Sequence, residues 1–185
     1  MLHKGMKKFE IDEALEGKGD YVQIDHLTKL SREELPLDIK KFVYVKLADI
    51  YEKKGIFTNA AKIYDNIAII SIAFSEKVKH YVRSAELYIQ AGVFDKVEEA
   101  MKKAIGEANS FEKQDIYYAV KGFYQKQAET YINQFKRNNA AKIYEKLLDM
   151  NLTESEKKEI TKKLIGLYDK LGKFNESRRL SSFGS

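Results

Sequence analysis

Asn59-Ala60-Ala61-Lys62-Ile63-Tyr64 returns unchanged as Asn139-Ala140-Ala141-Lys142-Ile143-Tyr144, and in both copies a tyrosine (Tyr51, Tyr131) stands thirteen residues before the closing tyrosine. An unaltered hexapeptide with matched aromatic flanks is the mark of an internal repeat. Repetition changes how single residues are read: small and aromatic side chains that recur at a fixed period are packing positions of stacked units.

Outward from the two copies, the next regular signal is glycine. Gly19, Gly55, Gly92 and Gly172 are spaced by similar steps, and the second hexapeptide puts Phe135 in the slot between the last two. Two positions after these slots come Tyr21, Phe57, Phe94, Arg137 and Phe174; four positions before them come Leu15, Tyr51, Tyr88, Tyr131 and Tyr168. Glycine just past a helix adopts the left-handed C-cap without a Cβ penalty, so each slot predicts the end of one helix and the start of an antiparallel second. First helices are predicted at 39–54, 76–91, 111–134 and 154–171, and second helices at 58–74, 95–107, 138–149 and 175–182. Glu10 to Leu15 and Tyr21 to Leu30 form a degenerate first pair within 10–35.

Start signals are read at Ser31-Arg32-Glu33-Glu34 and Thr153-Glu154-Ser155-Glu156 as capping boxes, at Asp95 with Glu98, and at Asp38, Ser75 and Asn175. The step from Gly92 to Phe135 is the longest. Its extra turns are placed between Ala108 and Gln127, where Asn109-Ser110 breaks one helix and a long first helix can begin.

Composition agrees. Helix formers dominate, proline occurs once (Pro36), and 44% hydrophobic with 33% charged residues is a folding composition. The expected architecture is all-α: an α-solenoid of antiparallel helix pairs with about four to five repeats, at 39–74, 76–107, 111–149 and 154–182 after the degenerate pair. These make a single domain over 1–185. The absence of cysteine excludes disulfides and thiolate chemistry and fits a cytoplasmic location. No signal-peptide core is seen before Glu10, and the longest apolar run, Ile67 to Phe74, is too short to span a bilayer, so no membrane partner is expected. That run reads as a second helix buried between neighbours on two sides.

The residues resemble the tetratricopeptide repeat family. Tyr44, Leu47, Ala48, Tyr51, Gly55, Phe57, Ala60, Tyr64 and Ile67 follow its series almost throughout. The next unit keeps Tyr81, Ala85, Tyr88, Gly92, Phe94 and Ala104; the third keeps Ala128, Tyr131, Ala140, Tyr144 and Leu147; the fourth keeps Leu164, Tyr168, Gly172 and Phe174. The third departs at Phe135 and Arg137. Ala48, Ala60, Ala85, Ala128 and Ala140 are then close-crossing positions, and the repeated tyrosines are spacers in the core. By this register the hexapeptide lies on the packing face of second helices, away from a groove.

The resemblance implies a non-enzymatic scaffold or adaptor that binds a partner protein along the concave face lined by first helices. The corresponding positions include Phe42, Val45 and Asp49; Lys79, Arg83 and Glu86; Gln125, Lys126 and Glu129; and Glu159, Lys162 and Lys163. Only Lys79 with Arg83 is similar to the family's carboxylate clamp, and Asp49, Glu86 and Glu129 would repel a carboxylate. Phe42 and Val45 suggest an apolar patch for a helix or extended peptide.

The surplus of basic residues lies after residue 120, where Lys136, Arg137, Lys157, Lys158, Arg178 and Arg179 offer a second class of partner, the ribosome or another folded RNA. Balancing glutamates at helical spacing, Glu154 with Lys158 and Glu159 with Lys163, argue instead for a solvated face. Leu180 and Phe183, at the position where a solenoid carries its polar cap, suggest a homodimer contact.

No cofactor or metal is expected. His3, His26 and His80 share no ligand spacing, Gly17-Lys18-Gly19 is too short for a phosphate loop, and the adjacent pairs Glu33-Glu34 and Glu98-Glu99 diverge on a helix.

Overall fold

A computed structural model of the chain describes residues 2–183, the side chain of Phe183 excepted. The described residues form ten helices and no strand: α1 (Lys8–Leu15), α2 (Asp20–Ser31), α3 (Leu37–Lys53), α4 (Phe57–Ile70), α5 (Phe74–Ala91), α6 (Phe94–Glu107), α7 (Ser110–Asn133), α8 (Arg137–Leu148), α9 (Glu154–Lys170) and α10 (Phe174–Phe183). Sequence neighbours pack on one another, α2 on α3, α3 on α4, α4 on α5 and α5 on α6, and separately α8 on α9 and α9 on α10. This is the consecutive helix-on-helix packing of an α-solenoid. The chain divides into two compact units, one through Ile116 and one from Tyr117, and the division falls inside α7.

Four turns after first helices are built by the same two backbone bonds. Gly55 N–H donates to Glu52 O (2.9 Å) and Ile56 N–H to Tyr51 O (2.8 Å). The pattern repeats with Gly92 on Ile89 and Val93 on Tyr88, with Phe135 on Ile132 and Lys136 on Tyr131, and with Gly172 on Asp169 and Lys173 on Tyr168. This is the Schellman arrangement, which needs a left-handed residue at its centre. Gly55, Gly92 and Gly172 have φ of 70°, 72° and 72°; Phe135 takes the same conformation at 58°. In the first pair the left-handed residue is Gly17 (φ 69°) rather than Gly19, which precedes α2 in an extended conformation.

The alanines sit as close-crossing positions require. Ala48, Ala60, Ala85, Ala128 and Ala140 are all fully buried, and Ala61 and Ala141 beside them in the hexapeptide are buried too. In the first unit Ile11, Leu15, Leu27, Leu30, Val43 and Leu47 make one cluster. Central α5 buries Val78, Tyr81, Ala85, Leu87, Tyr88 and Ile89 against both its neighbours. In the second unit Val120, Tyr124, Ala128, Ile143, Leu147, Leu164 and Leu167 form the interior. Each fully buried leucine or isoleucine contributes on the order of 2 kcal/mol from area removed from water.

Helix starts depart from the sequence expectation more than helix ends do. Thr153 is a true cap, accepting from Glu156 N–H while Glu156 accepts from Thr153 N–H (2.9 Å). Asn109 caps α7 in the same way with Glu112, which lets α7 run for 24 residues and absorb the extra turns of the long step. Ser31 instead closes α2, its hydroxyl donating to Thr28 O, and Asp38, Ser75, Asp95 and Asn175 lie within the first turns of helices that begin at or before them. Helices α3, α5 and α6 start without a side-chain cap.

The apolar run 67–74 is not one buried helix. α4 ends at Ile70, Ser71 is buried with its hydroxyl on Ile67 O (2.8 Å), and α5 begins at Phe74. Ile67 and Ala68 are core, whereas Ile69, Ile72 and Phe74 are exposed, Ile72 to 82%. The serine returns a hydrogen bond to the last turn and lets the chain leave the helix.

Phe135 is 81% exposed, so its ring contributes little packing while its Cβ bears the left-handed conformation. Relief of that strain outweighs the extra unfolded-state freedom of glycine. Phe135→Gly is expected to raise stability by about 0.5–1 kcal/mol in urea unfolding. An unchanged or lowered midpoint would mean the residue is unstrained.

Candidate partner-binding groove

The first helices of successive pairs are tied by ion pairs in a constant register. Lys41 of α3 reaches Glu76 of α5 (2.7 Å), and in the second unit Lys121 of α7 reaches Glu156 of α9 (2.5 Å). Both pairs join a lysine on one first helix to a glutamate in the first turn of the next. Lys121 is 92% removed from solvent and its ammonium also lies over the Tyr118 ring at 4.9 Å, so this pair is the better shielded. The Lys121 ammonium, with Thr153 assisting, holds the Glu156 carboxyl down to about 2.

Tyrosines tie first helices to the preceding second helix. Tyr88 Oη donates to Asp65 (3.3 Å) and Tyr168 Oη donates to Glu145 (2.7 Å). Both acceptors directly follow the repeated hexapeptide, so the repeated unit is functionally a heptapeptide closed by a carboxylate. Burial first, and then the adjacent acid, raise both phenols; Tyr88 is pushed up to about 12. Asp65 is raised by its own burial.

Between α7 and α9 the second unit opens a cavity of about 240 Å³ lined by Gln125, Glu129, Tyr144, Glu156, Glu159, Ile160 and Lys163. Tyr144 forms its floor and is 2% exposed. Burial raises its pKa, opposed by Lys163. Lys163 is held by Glu159 (2.7 Å), which raises the lysine's pKa, with Tyr144 and Glu129 adding to the shift.

Eighty residues earlier, the same register places Val45, Asp49, Tyr64, Glu76, Lys79, His80 and Arg83. Here the groove is filled by the protein itself. The Arg83 guanidinium bridges Glu52 and Glu86, and Tyr64 lies against Glu52 with its ring stacked on His80 (centroids 5.8 Å apart, planes 24°). Burial and then Glu52 push the Tyr64 phenol up to about 12, and burial followed by the Lys41 charge lowers His80. In the later copy Ile132 and Gly166 stand where Glu52 and Glu86 do, which removes both carboxylates that anchor the cation and leaves space.

Of the sequence-predicted residues, Phe42, Val45 and Asp49 lie on α3 and Lys79 and Arg83 on α5. Phe42 is half-buried against the first cluster with Lys46 Nζ 5.0 Å from its ring centroid, Val45 is exposed, and the Asp49 carboxyl is raised by partial burial and Glu52. Arg83 is neutralised and Lys79 is exposed. Lys163 lines the cavity together with Gln125 and Glu129; Lys126 and Lys162 are exposed beside it on the same helices.

The basic pairs are all exposed, but they stand on different helices, Lys136-Arg137 at the start of α8, Lys157-Lys158 near the start of α9 and Arg178-Arg179 inside α10. Leu180 is half-buried on α10, and the Phe183 side chain lies outside the described residues.

Sequence reasoning missed Tyr144, Glu156 and Ile160. Tyr144 reads as pure packing from its period, and Glu156 as a cap alone. It is both cap and groove wall. Among the described residues no cluster could hold a metal ion, and no helix is long and apolar enough to cross a membrane.

A tetratricopeptide repeat model matches residues 122–154, which span the last part of α7, all of α8 and the start of α9. No curated protein matches the sequence. Among solved structures the chain is similar to BtubC (BKLC) from P. vanneervenii at 16% identity, covering 95% of this chain and 72% of that one with a TM-score of 0.37.

The depressed pKa of Glu156 fixes a sign. Its stabilisation is complete above the ordinary carboxylate range and is lost as pH falls through about 2. Glu156→Gln should therefore be less stable than wild type at neutral pH in urea unfolding, with the gap closing toward pH 2. A gap that stays constant with pH would contradict the ion-pair account.

Proposed function

We propose that this chain, an all-α helical repeat whose residues 122–154 match a tetratricopeptide repeat model, is a scaffold or adaptor that binds a partner protein through the groove between α7 and α9. The fold's general use is protein–protein interaction, and the observation that supports this site is the cavity over Tyr144 between two first helices. A groove of this kind receives side chains of an extended or helical segment. Its counterpart between α3 and α5 is closed by Arg83, which favours the second unit as the working surface. The exposed Lys126 and Lys162 flank the cavity and are suited to steering and rim contacts.

Affinity capture from the native cell extract tests this reading, comparing wild type with Gln125→Trp, a change at an exposed cavity residue that fills the space. Capture of a discrete protein is expected from wild type and should fall at least about tenfold in the variant, the scale of losing a buried contact. Lys157→Glu with Lys158→Glu, outside the cavity, should leave capture intact. Loss confined to the lysine variant, or capture abolished by ribonuclease, would move the partner to the basic surface and overturn the groove assignment.

A further inference from the structure

We infer that the chain pairs with a second copy of itself along the rim of the first unit where its first helices begin. An exposed apolar residue stands at the first or second position of each of these helices: Phe9 on α1, Leu37 on α3, Phe74 on α5 and Phe111 on α7. Their exposure runs from 46% at Leu37 to 87% at Phe111. Ile69 and Ile72, at and just past the end of α4, are exposed close before Phe74.

Ion pairs hold these helix starts side by side. Lys8 of α1 reaches Asp38 of α3 (3.3 Å), and Lys41 of α3 reaches Glu76 of α5 (2.7 Å). Lys77 of α5 reaches Glu107 (3.3 Å), which ends α6 just before α7 begins. The apolar residues therefore form one row. Hydrophobics exposed singly are ordinary, whereas a continuous row marks a contact surface. At roughly 200 Å² for a phenylalanine and somewhat less for leucine or isoleucine, the six side chains expose on the order of 700 Å². That exceeds the roughly 300–600 Å² of the largest patch on a typical monomer and approaches the about 800 Å² that each partner gives to a standard interface.

Charge selects the occupant. The first four residues of each of the four helices hold one acid and one lysine, so the rim is neutral turn by turn. It offers no field to draw a nucleic acid or an anionic lipid surface. An identical strip meets no like-charge repulsion there, which is the self-complementarity that a two-fold interface requires. Nor does folding demand the row: in the second unit α9 begins at the exposed Glu154, behind its capping Thr153.

Sedimentation equilibrium of the full chain, from micromolar to submillimolar concentration, tests the pairing. A reversible dimer is expected, unchanged or tightened by raised sulfate because its contacts are apolar. Ile72→Glu and Phe111→Glu, at the two most exposed side chains of the rim, should each weaken it about tenfold or more. Both should keep the wild-type helical circular dichroism. Phe174→Glu, at an exposed ring of the second unit outside the row, should leave the dimer intact. A monomer at every concentration overturns the inference, as does a dimer that survives both rim variants or that Phe174→Glu also dissolves. So does a monomeric chain that sediments with phosphatidylcholine vesicles and loses that binding on Phe111→Glu, which would assign the rim to a lipid surface.

Discussion

The reversal of the chain after each first helix is the constraint on which the rest depends. A left-handed residue turns the backbone, and the amide that follows it donates to the carbonyl of the tyrosine five residues earlier, at Tyr51, Tyr88, Tyr131 and Tyr168 alike. With both bonds fixed, the distance from that tyrosine to the alanines of the next helix is fixed too. The alanine pairs of the hexapeptide then fall at full burial in both copies. Close approach of the helices follows, because nothing larger than a methyl separates them. At the third slot a phenylalanine accepts the left-handed conformation, so the hydrogen-bond geometry prevails over a side-chain preference worth on the order of 1–2 kcal/mol.

The constant register gives the two units comparable grooves with different contents. Lysine-to-glutamate ties join first helices in each, and tyrosine-to-carboxylate bonds join each first helix to the helix before it. Against that common frame, a few substitutions alter the electrostatics. With Glu52 and Glu86 present, Arg83 is anchored over Tyr64; with Ile132 and Gly166 in their place, Lys163 turns to Glu159 and the space above Tyr144 is open. The surface pairs are weak individually. Their role here is to set which positions are occupied by the protein's own charges.

Much of the fold is legible in the sequence because its determinants are local. Gly55, Gly92 and Gly172 announce the reversals, and Asn109 and Thr153 announce two helix starts. The remaining starts are misread because Asp38, Ser75 and Asn175 are good cap residues that stand at the second position of their helices. The apolar stretch around Ile69 and Ile72 misleads for a related reason: a hydrophobic run does not say where Ser71 will break it. For the groove, periodicity identifies Gln125, Glu129 and Lys163. It cannot identify Tyr144, since a residue can be almost wholly buried and still present one atom to a cavity. Nor can it show that Arg83 is neutralised, which depends on Glu52 from another helix.

The account's central claim is that two tyrosines of successive repeats differ in role, Tyr168 being bonded into the fold and Tyr144 facing the cavity between α7 and α9. Paired unfolding measurements on Tyr168→Phe and Tyr144→Phe test it most directly. The account predicts a loss of about 1 kcal/mol for Tyr168→Phe, the worth of one hydrogen bond, and no loss for Tyr144→Phe. Equal losses from the two variants would contradict it, showing that the Tyr144 hydroxyl is engaged within the protein.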